Sequence, residues 1–136
     1  MFSNFSSFSI EMNGVKWQTS EHLYQAMKFM GQSSDIVEEI KNASSAYDSK
    51  KIAEQHSDKI RKDWEDIKVK KMEEIIREKH AQHPYIQKKL LETVGMDIIE
   101  DSPKDAFWGW GPNKDGKNHL GKIWMKIRDE EVEKVK

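Results

Sequence analysis

Glu21, Gln25 and Lys28 recur at i, i+4 and i+7 in the stretch TSEHLYQAMKF. On a helix of about 3.6 residues per turn that spacing gathers a carboxylate, a carboxamide and an amine into one narrow stripe. A carboxylate can move protons, and a lysine whose charge is disfavoured by burial is a nucleophile towards carbonyl-like carbon. The stripe is either a solvated helix face or the lining of a site. Leu23, Ala26, Met27 and Met30 form the apolar face, which packs on the core. His22, Tyr24 and Phe29 flank the polar stripe as a collar able to desolvate Glu21 and Lys28 and move both towards a usable pKa. His22 reads equally as an acid–base group or as a buried donor.

A second constellation is GWGPNKDGKN, Gly109 to Asn118, placed just before a helix start. Glycines let a backbone approach a ligand closely, and a helix N-terminus offers N–H groups and a positive dipole end; together they suit phosphate. The spacing matches neither the Walker loop nor the dinucleotide fingerprint, and an ordinary capped loop is the competing reading. Trp108 and Trp110 are two apart, so on an extended backbone one enters the core while the other covers a pocket and stacks on a flat ring. His80 and His83 lie at a helix end with no further ligand run and read as surface histidines rather than a metal pair.

These residues need elements to hold them. Asn13-Gly14 between short extended runs predicts a hairpin. Thr19 and Ser20 offer N-caps for a helix from about Ser20 to Met30, closed by Gly31. Ser33 or Ser34 opens a second helix through DIVEEIKNA, and SSAYDSKKIAEQH a third. A long helix runs from about Asp63 to His80 with Trp64, Ile67, Met72, Ile75 and Ile76 inward. Pro84 starts another, closed by Gly95; MDIIE reads as a strand; and Asn118 caps a final helix that runs to the end of the sequence. The expectation is one α+β domain over residues 1–136, mainly helical, with a small β-sheet built from sequence-distant strands.

The totals agree with one small domain. Of 136 residues, 36% are hydrophobic and 35% charged, and the charges are mixed along helices as on solvated faces. Net charge is −1, against the basic excess of a protein that grips duplex nucleic acid through many phosphates. Cysteine is absent, which excludes disulfides, a thiolate nucleophile and a cysteine-based zinc site. No apolar run reaches membrane-span length and the N-terminus lacks signal-peptide features, so a cytoplasmic protein is expected.

Taken together, FSNFSSFSI, VKWQTSEHLYQAMKF, IRKDWEDIKVKKM and DAFWGWGPNKDGKNHLGKIWMKIRD resemble, in this order, the YbiA-like family, also called the NADAR superfamily. The resemblance covers nearly the whole chain. It implies the small α+β YbiA-like fold and an N-glycosidase that cleaves the C–N bond between a phosphorylated ribose and a nitrogenous group. The substrates it implies are ADP-ribosylated guanine, in nucleotide or nucleic acid, or a phosphorylated intermediate of riboflavin synthesis. Carried over by motif, the family's acid falls on Glu21, its lysine on Lys28, and its tryptophans on Trp64 and Trp108. Many members have aspartate after W-G, where this chain has Trp110; that aspartate's work then falls to Asp105, Asp115 or Glu21, or specificity is altered. The short strand that precedes F-S-N-F in relatives is not expected here, since the sequence starts at Met1-Phe2.

The reading that results makes Lys28 the nucleophile at the anomeric carbon, giving an imine with the opened sugar, and Glu21 its acid–base partner. His22 and Gln25 contact substrate, Gln25 orienting the sugar hydroxyls. Arg61 or Lys62 assists a phosphate loop formed by Gly109, Trp110, Gly111, Asp115 and Asn118, and Trp64 or Trp108 stacks on the base, the tryptophan-glycine segment closing the cleft. No metal or cofactor is expected, and the partner is a ribosyl-phosphate or ADP-ribosyl molecule, ADP-ribosylated nucleic acid included. The alternative is a non-catalytic ADP-ribose or nucleotide-binding module.

Overall fold

Asn13 and Gly14 take φ of 54° and 79°, the left-handed pair that a two-residue hairpin turn requires. They join β1 (Ile10–Met12) to β2 (Val15–Trp17) in antiparallel register, Ile10 opposite Trp17 and Met12 opposite Val15. Ile10 and Trp17 are buried on one face, while Glu11 and Lys16, one residue on, are exposed. The outward edge of β1 is met by a side chain: Gln82 accepts from the Glu11 N–H at 2.8 Å and donates to the Glu11 carbonyl at 2.6 Å.

The computed structural model describes residues 1–100 and 105–134. Its helices are α1 (Ser20–Met27), α2 (Ser34–Lys41), α3 (Ala46–Gln55), α4 (Trp64–Gln82), α5 (Pro84–Leu91) and α6 (His119–Lys134). The last two residues of the predicted final helix lie outside the described residues. Thr19, Ser33 and Ser45 cap α1, α2 and α3 by accepting from the N–H three residues on. The chain divides into two compact units, one of Met1 with Ser3–Gln82, the other of Phe2 with the segment from His83 onward.

In the first unit α1 packs on α2, α3, α4 and β2, and every one of its eight residues is buried. It ends three residues before the predicted Met30. The Lys28 and Phe29 amides bond three residues back, to Gln25 and Ala26, and the chain turns to Gly31 at φ 81°. Trp64, Met72, Ile75 and Ile76 of α4 face inward as the periodicity predicts. Lys79, fully buried, donates to the Ser3 carbonyl at 3.0 Å and the Ser6 hydroxyl at 3.2 Å, and so fixes the N-terminal segment on α4.

In the second unit Ile86 and Leu90 of α5 and Leu120, Ile123, Trp124 and Ile127 of α6 form the core. The indole N–H of Trp124 donates to the Phe2 carbonyl at 3.0 Å. Two expectations fail here. The MDIIE segment is irregular, and among the described residues the sheet is the β1–β2 hairpin of adjacent strands, not a sheet of distant ones. The reason is a competing partner: Asn118 donates to the Ile98 carbonyl and accepts from the Glu100 N–H, and the Trp110 N–H takes the Glu100 carbonyl.

Candidate active site

Glu21 and Gln25 are buried, and Lys28 is half-buried at the edge of a cavity. Glu21 is 6% exposed and Gln25 3%, and the Gln25 amide donates to Glu21 Oε1 at 2.7 Å. Lys28, at the C-cap of α1, is half-buried, its Nζ 5.3 Å from the Tyr24 ring centroid. Desolvation holds its amine below the ordinary 10.5, against the Coulombic pull of Glu21 and Glu54, which raises it, while Lys50 and Lys68 lower it further. Burial outweighs the carboxylates.

Lys28 faces a cavity of about 470 Å³ that Tyr24, Arg61, Lys62, Trp64 and Lys68 also line. The Tyr24 and Trp64 rings meet at 5.3 Å, tilted by 57°, and give it an aromatic wall. Lys28, Arg61, Lys62 and Lys68 face Glu65 alone among the lining carboxylates, so the cavity suits an anion with an aromatic part. The Arg61 N–H donates to the Lys28 carbonyl at 2.9 Å, which ties the segment before α4 to the end of α1, and its guanidinium grips Asp63 at 2.7 and 3.1 Å. Glu21 and Gln25 are not among the lining residues; the Glu21 charge acts on Lys28, and Gln25 is bonded to Glu21.

His22 is differently placed. It is fully buried, with Nε2 at 3.1 Å from the Ala43 carbonyl and Nδ1 at 2.8 Å from the Thr19 hydroxyl. A carbonyl only accepts, so Nε2 donates and Nδ1 accepts from Thr19. Both ring nitrogens are thus used in fastening α1 to the end of α2, and the ring has none to offer a ligand. His22→Ala is expected to lower the unfolding free energy by roughly 2–4 kcal/mol, a cavity plus unmade hydrogen bonds, as read by urea denaturation. Unchanged stability with lost turnover would return His22 to the substrate.

The predicted phosphate loop belongs to the second unit, and several of its amides are bonded to carbonyls of the chain. Asp105 Oδ1 accepts from the Phe107 and Trp108 N–H groups, both at 2.9 Å. The N–H groups of Gly109, Trp110, Gly116, Lys117 and Asn118 bond to loop or nearby carbonyls, and those of His119 and Leu120, which open α6, bond to Phe107 and Trp108. An anion nest needs open amides, and those of Gly109, Gly116 and Asn118 are spent on the loop's own fold. A Cβ on Gly116 would meet the carbonyl oxygens of Gly109 and Trp110 at 2.6 and 2.7 Å. Asn118, predicted as cap and phosphate ligand, is at φ 50° with its side chain holding the 98–100 segment. Asn118→Ala should cost roughly 1–3 kcal/mol of stability by orphaning the Glu100 amide, measurable in the same denaturation experiment. Trp108 and Trp110 are both half-buried, Trp108 stacked at 4.8 Å on Phe107, and Asp115 is exposed.

Sequence reasoning missed Glu54, Lys50 and Lys68. They come from α3 and α4, where each looks like an ordinary solvated charge; no spacing links them to Lys28.

A NADAR domain model matches residues 1–130. The chain belongs to the NADAR domain family. Its similarity to N-glycosidase YbiA of Escherichia coli is 36% identity over 129 residues, 95% of this chain and 79% of that protein. The NMR structure of E. coli YbiA superposes with a TM-score of 0.88, covering 99% of this chain and 80% of that one at 36% identity. The chain is 41% identical over 142 residues to the chloroplastic riboflavin biosynthesis protein PYRR of Zea mays, where it matches 95% of its own length and spans 23% of the plant protein. NADAR membership and the YbiA fold are therefore as the motifs predict. Among the described residues no helix is long and apolar enough to cross a membrane, and no cluster of three or more metal-ligating side chains forms.

Proposed function

We propose that this NADAR protein is an N-glycosidase that hydrolyses the C–N bond joining a phosphorylated ribose to a nitrogenous group, through an imine on Lys28. The N-glycosidase class rests on relatives of that name at this level of identity. The observation that carries the mechanism is the half-buried Lys28 amine, its pKa lowered by desolvation, facing a cationic, aromatic-walled cavity with the buried Glu21 coupled to it.

The neutral amine attacks the anomeric carbon and the C–N bond breaks. The proton lost from the amine passes by way of the Glu21 carboxylate to the departing nitrogen. Opening of the ring leaves a protonated imine, and water adds to it to release the sugar aldehyde and restore the amine. The sum is one glycoside and one water giving sugar and base. Arg61, Lys62 and Lys68 hold phosphate, and Trp64 with Tyr24 packs the base. Asp105 is engaged by loop amides and Asp115 is exposed, which leaves the acid–base work with Glu21.

A second cavity of about 420 Å³ shares Arg61 and Lys62 with the first. Room on both sides of two cations supports an ADP-ribosyl substrate, whose halves flank a diphosphate, over a ribosyl monophosphate. The test is incubation with ADP-ribosylated guanine nucleotide and, separately, with a phosphorylated ribosylaminopyrimidine, with chromatography of the released sugar. Release of ADP-ribose from the first is expected. Tight binding without turnover of either would make the protein a reader of nucleotides and end the catalytic reading.

The ionisation of Lys28 gives the pH dependence a sign. The ammonium form cannot attack, so kcat/KM should rise with pH through the lowered lysine pKa, on a limb below 10.5. Glu54 raises that pKa, so Glu54→Gln should move the limb to lower pH; a limb that does not move would detach Glu54 from the site.

A further inference from the structure

We propose that Asp63 is a positioning residue: it holds the Arg61 guanidinium still, with one edge left open for the phosphate of a ligand in the first cavity. The inference rests on the phosphate-holding role given to Arg61 above. Arg61 and Lys62 border both cavities, while Asp63 borders the second and not the first. The Asp63 carboxylate takes the guanidinium side-on, Oδ1 accepting from Nε at 2.7 Å and Oδ2 from Nη2 at 3.1 Å.

A guanidinium carries five N–H groups in one plane. The side-on pair uses two of them, on the edge that bears Nε. The end-on edge, made by Nη1 and the other Nη2 proton, offers the parallel donors that match a phosphate, and among the described residues it has no partner. Both ends of the pair are pinned by the backbone. The Arg61 N–H donates to the Lys28 carbonyl at 2.9 Å, the Arg61 carbonyl accepts from the Trp64 N–H at 3.2 Å, and the Asp63 carbonyl accepts from the Asp66 N–H at 3.0 Å. Asp63 directly precedes α4, where an aspartate side chain would ordinarily cap the helix amides; both its oxygens go to Arg61 instead. The two side chains are 29% and 50% exposed, and an ion pair so open to water adds little to folding. What it does is restrict Arg61 before a ligand arrives, so that binding no longer has to order a long side chain. Asp63 orients this cation without lining the cavity where Lys28, Lys62 and Lys68 gather.

The test measures the dissociation constant of D-ribose 5-phosphate by calorimetry with the full chain at physiological ionic strength. The direction of the change discriminates. Asp63→Asn removes a negative charge near an anion, which by Coulomb's law alone should tighten binding or, screened by salt, leave it unchanged. Loss of positioning should instead weaken it by roughly threefold to tenfold, the scale of immobilising one rotamer-rich side chain. Asparagine suits a helix start as well as aspartate, so the variant should melt with the unaltered protein. Asp63→Ser, which also suits a helix start, should bind as weakly as Asp63→Asn. Arg61→Ala should weaken binding more than either, and Asp63→Asn added to Arg61→Ala should weaken it no further. Unchanged or tighter binding in both Asp63 variants overturns the proposal. So does an equal loss with and without Arg61, since Asp63 would then act by another route. If the unaltered protein does not bind the sugar phosphate, or Arg61→Ala binds it as tightly, the phosphate role of Arg61 fails and that of Asp63 with it.

Discussion

Lys28→Ala is expected to lower turnover by about four orders of magnitude or more, the scale on which loss of a covalent nucleophile is felt. The lysine does three separable things in the proposed reaction: it carries positive charge, it fills part of the cavity, and it supplies an amine. Lys28→Arg keeps the first two and removes the third, because a guanidinium stays protonated. It should therefore bind sugar phosphate nearly as well as the unaltered protein and remain inactive. Borohydride added during turnover should reduce the imine and leave a mass increment on the peptide containing Lys28. Full activity in Lys28→Ala, together with no adduct in the unaltered protein, would remove covalent catalysis. Neither variant should unfold the chain, since Lys28 sits at the end of α1 with its side chain against Tyr24 and open on the other side to the cavity.

Glu21→Gln should reduce kcat by about 10²- to 10⁴-fold, the usual contribution of a positioned acid–base group, while the dissociation constant for sugar phosphate changes little. The exchange is nearly isosteric, and the Gln25 amide can still donate to the new carboxamide. Removing a buried charge favours folding, so the melting temperature should hold or rise as activity falls, the signature of a group kept for chemistry at some expense to stability. One further consequence separates this role from a purely structural one. Glu21 raises the Lys28 pKa, so its loss should shift the pH dependence of imine formation to lower pH even as turnover drops. Weakened binding with kcat intact would make Glu21 a positioning group.

The first unit was the more legible in the sequence because its signals are local. Asn13-Gly14 is a turn by backbone sterics, Thr19 is a cap by its hydroxyl, and the i, i+4, i+7 spacing of Glu21, Gln25 and Lys28 survives any packing arrangement. What the spacing left open was whether that stripe meets water. Burial of all eight α1 residues answers it for Glu21 and Gln25, with Lys28 half-buried beyond them, and only the helices around α1 could decide it. The second unit was less legible for the converse reason. The glycines of the 109–118 segment have the composition of an anion loop, yet whether its amides are available depends on carbonyls outside it, such as that of Glu100, to which the Trp110 N–H donates, and that of Asp105, to which the Gly109 N–H donates. The β-branched MDIIE segment was likewise captured by one asparagine side chain where a strand was expected. Glu54 and Lys68 were invisible because a charge on a helix surface looks alike whether it faces solvent or another helix's lysine.

The glutamine that meets Glu11 carries a consequence of its own. A three-residue ribbon with a vacant margin is a template on which another chain could crystallise into longer β-structure. Gln82 occupies that margin with one amide, mimicking the neighbour a sheet would otherwise recruit. Gln82→Glu, which cannot donate to the Glu11 carbonyl, should expose it, and concentrated protein should then form thioflavin-positive assemblies that the unaltered chain does not.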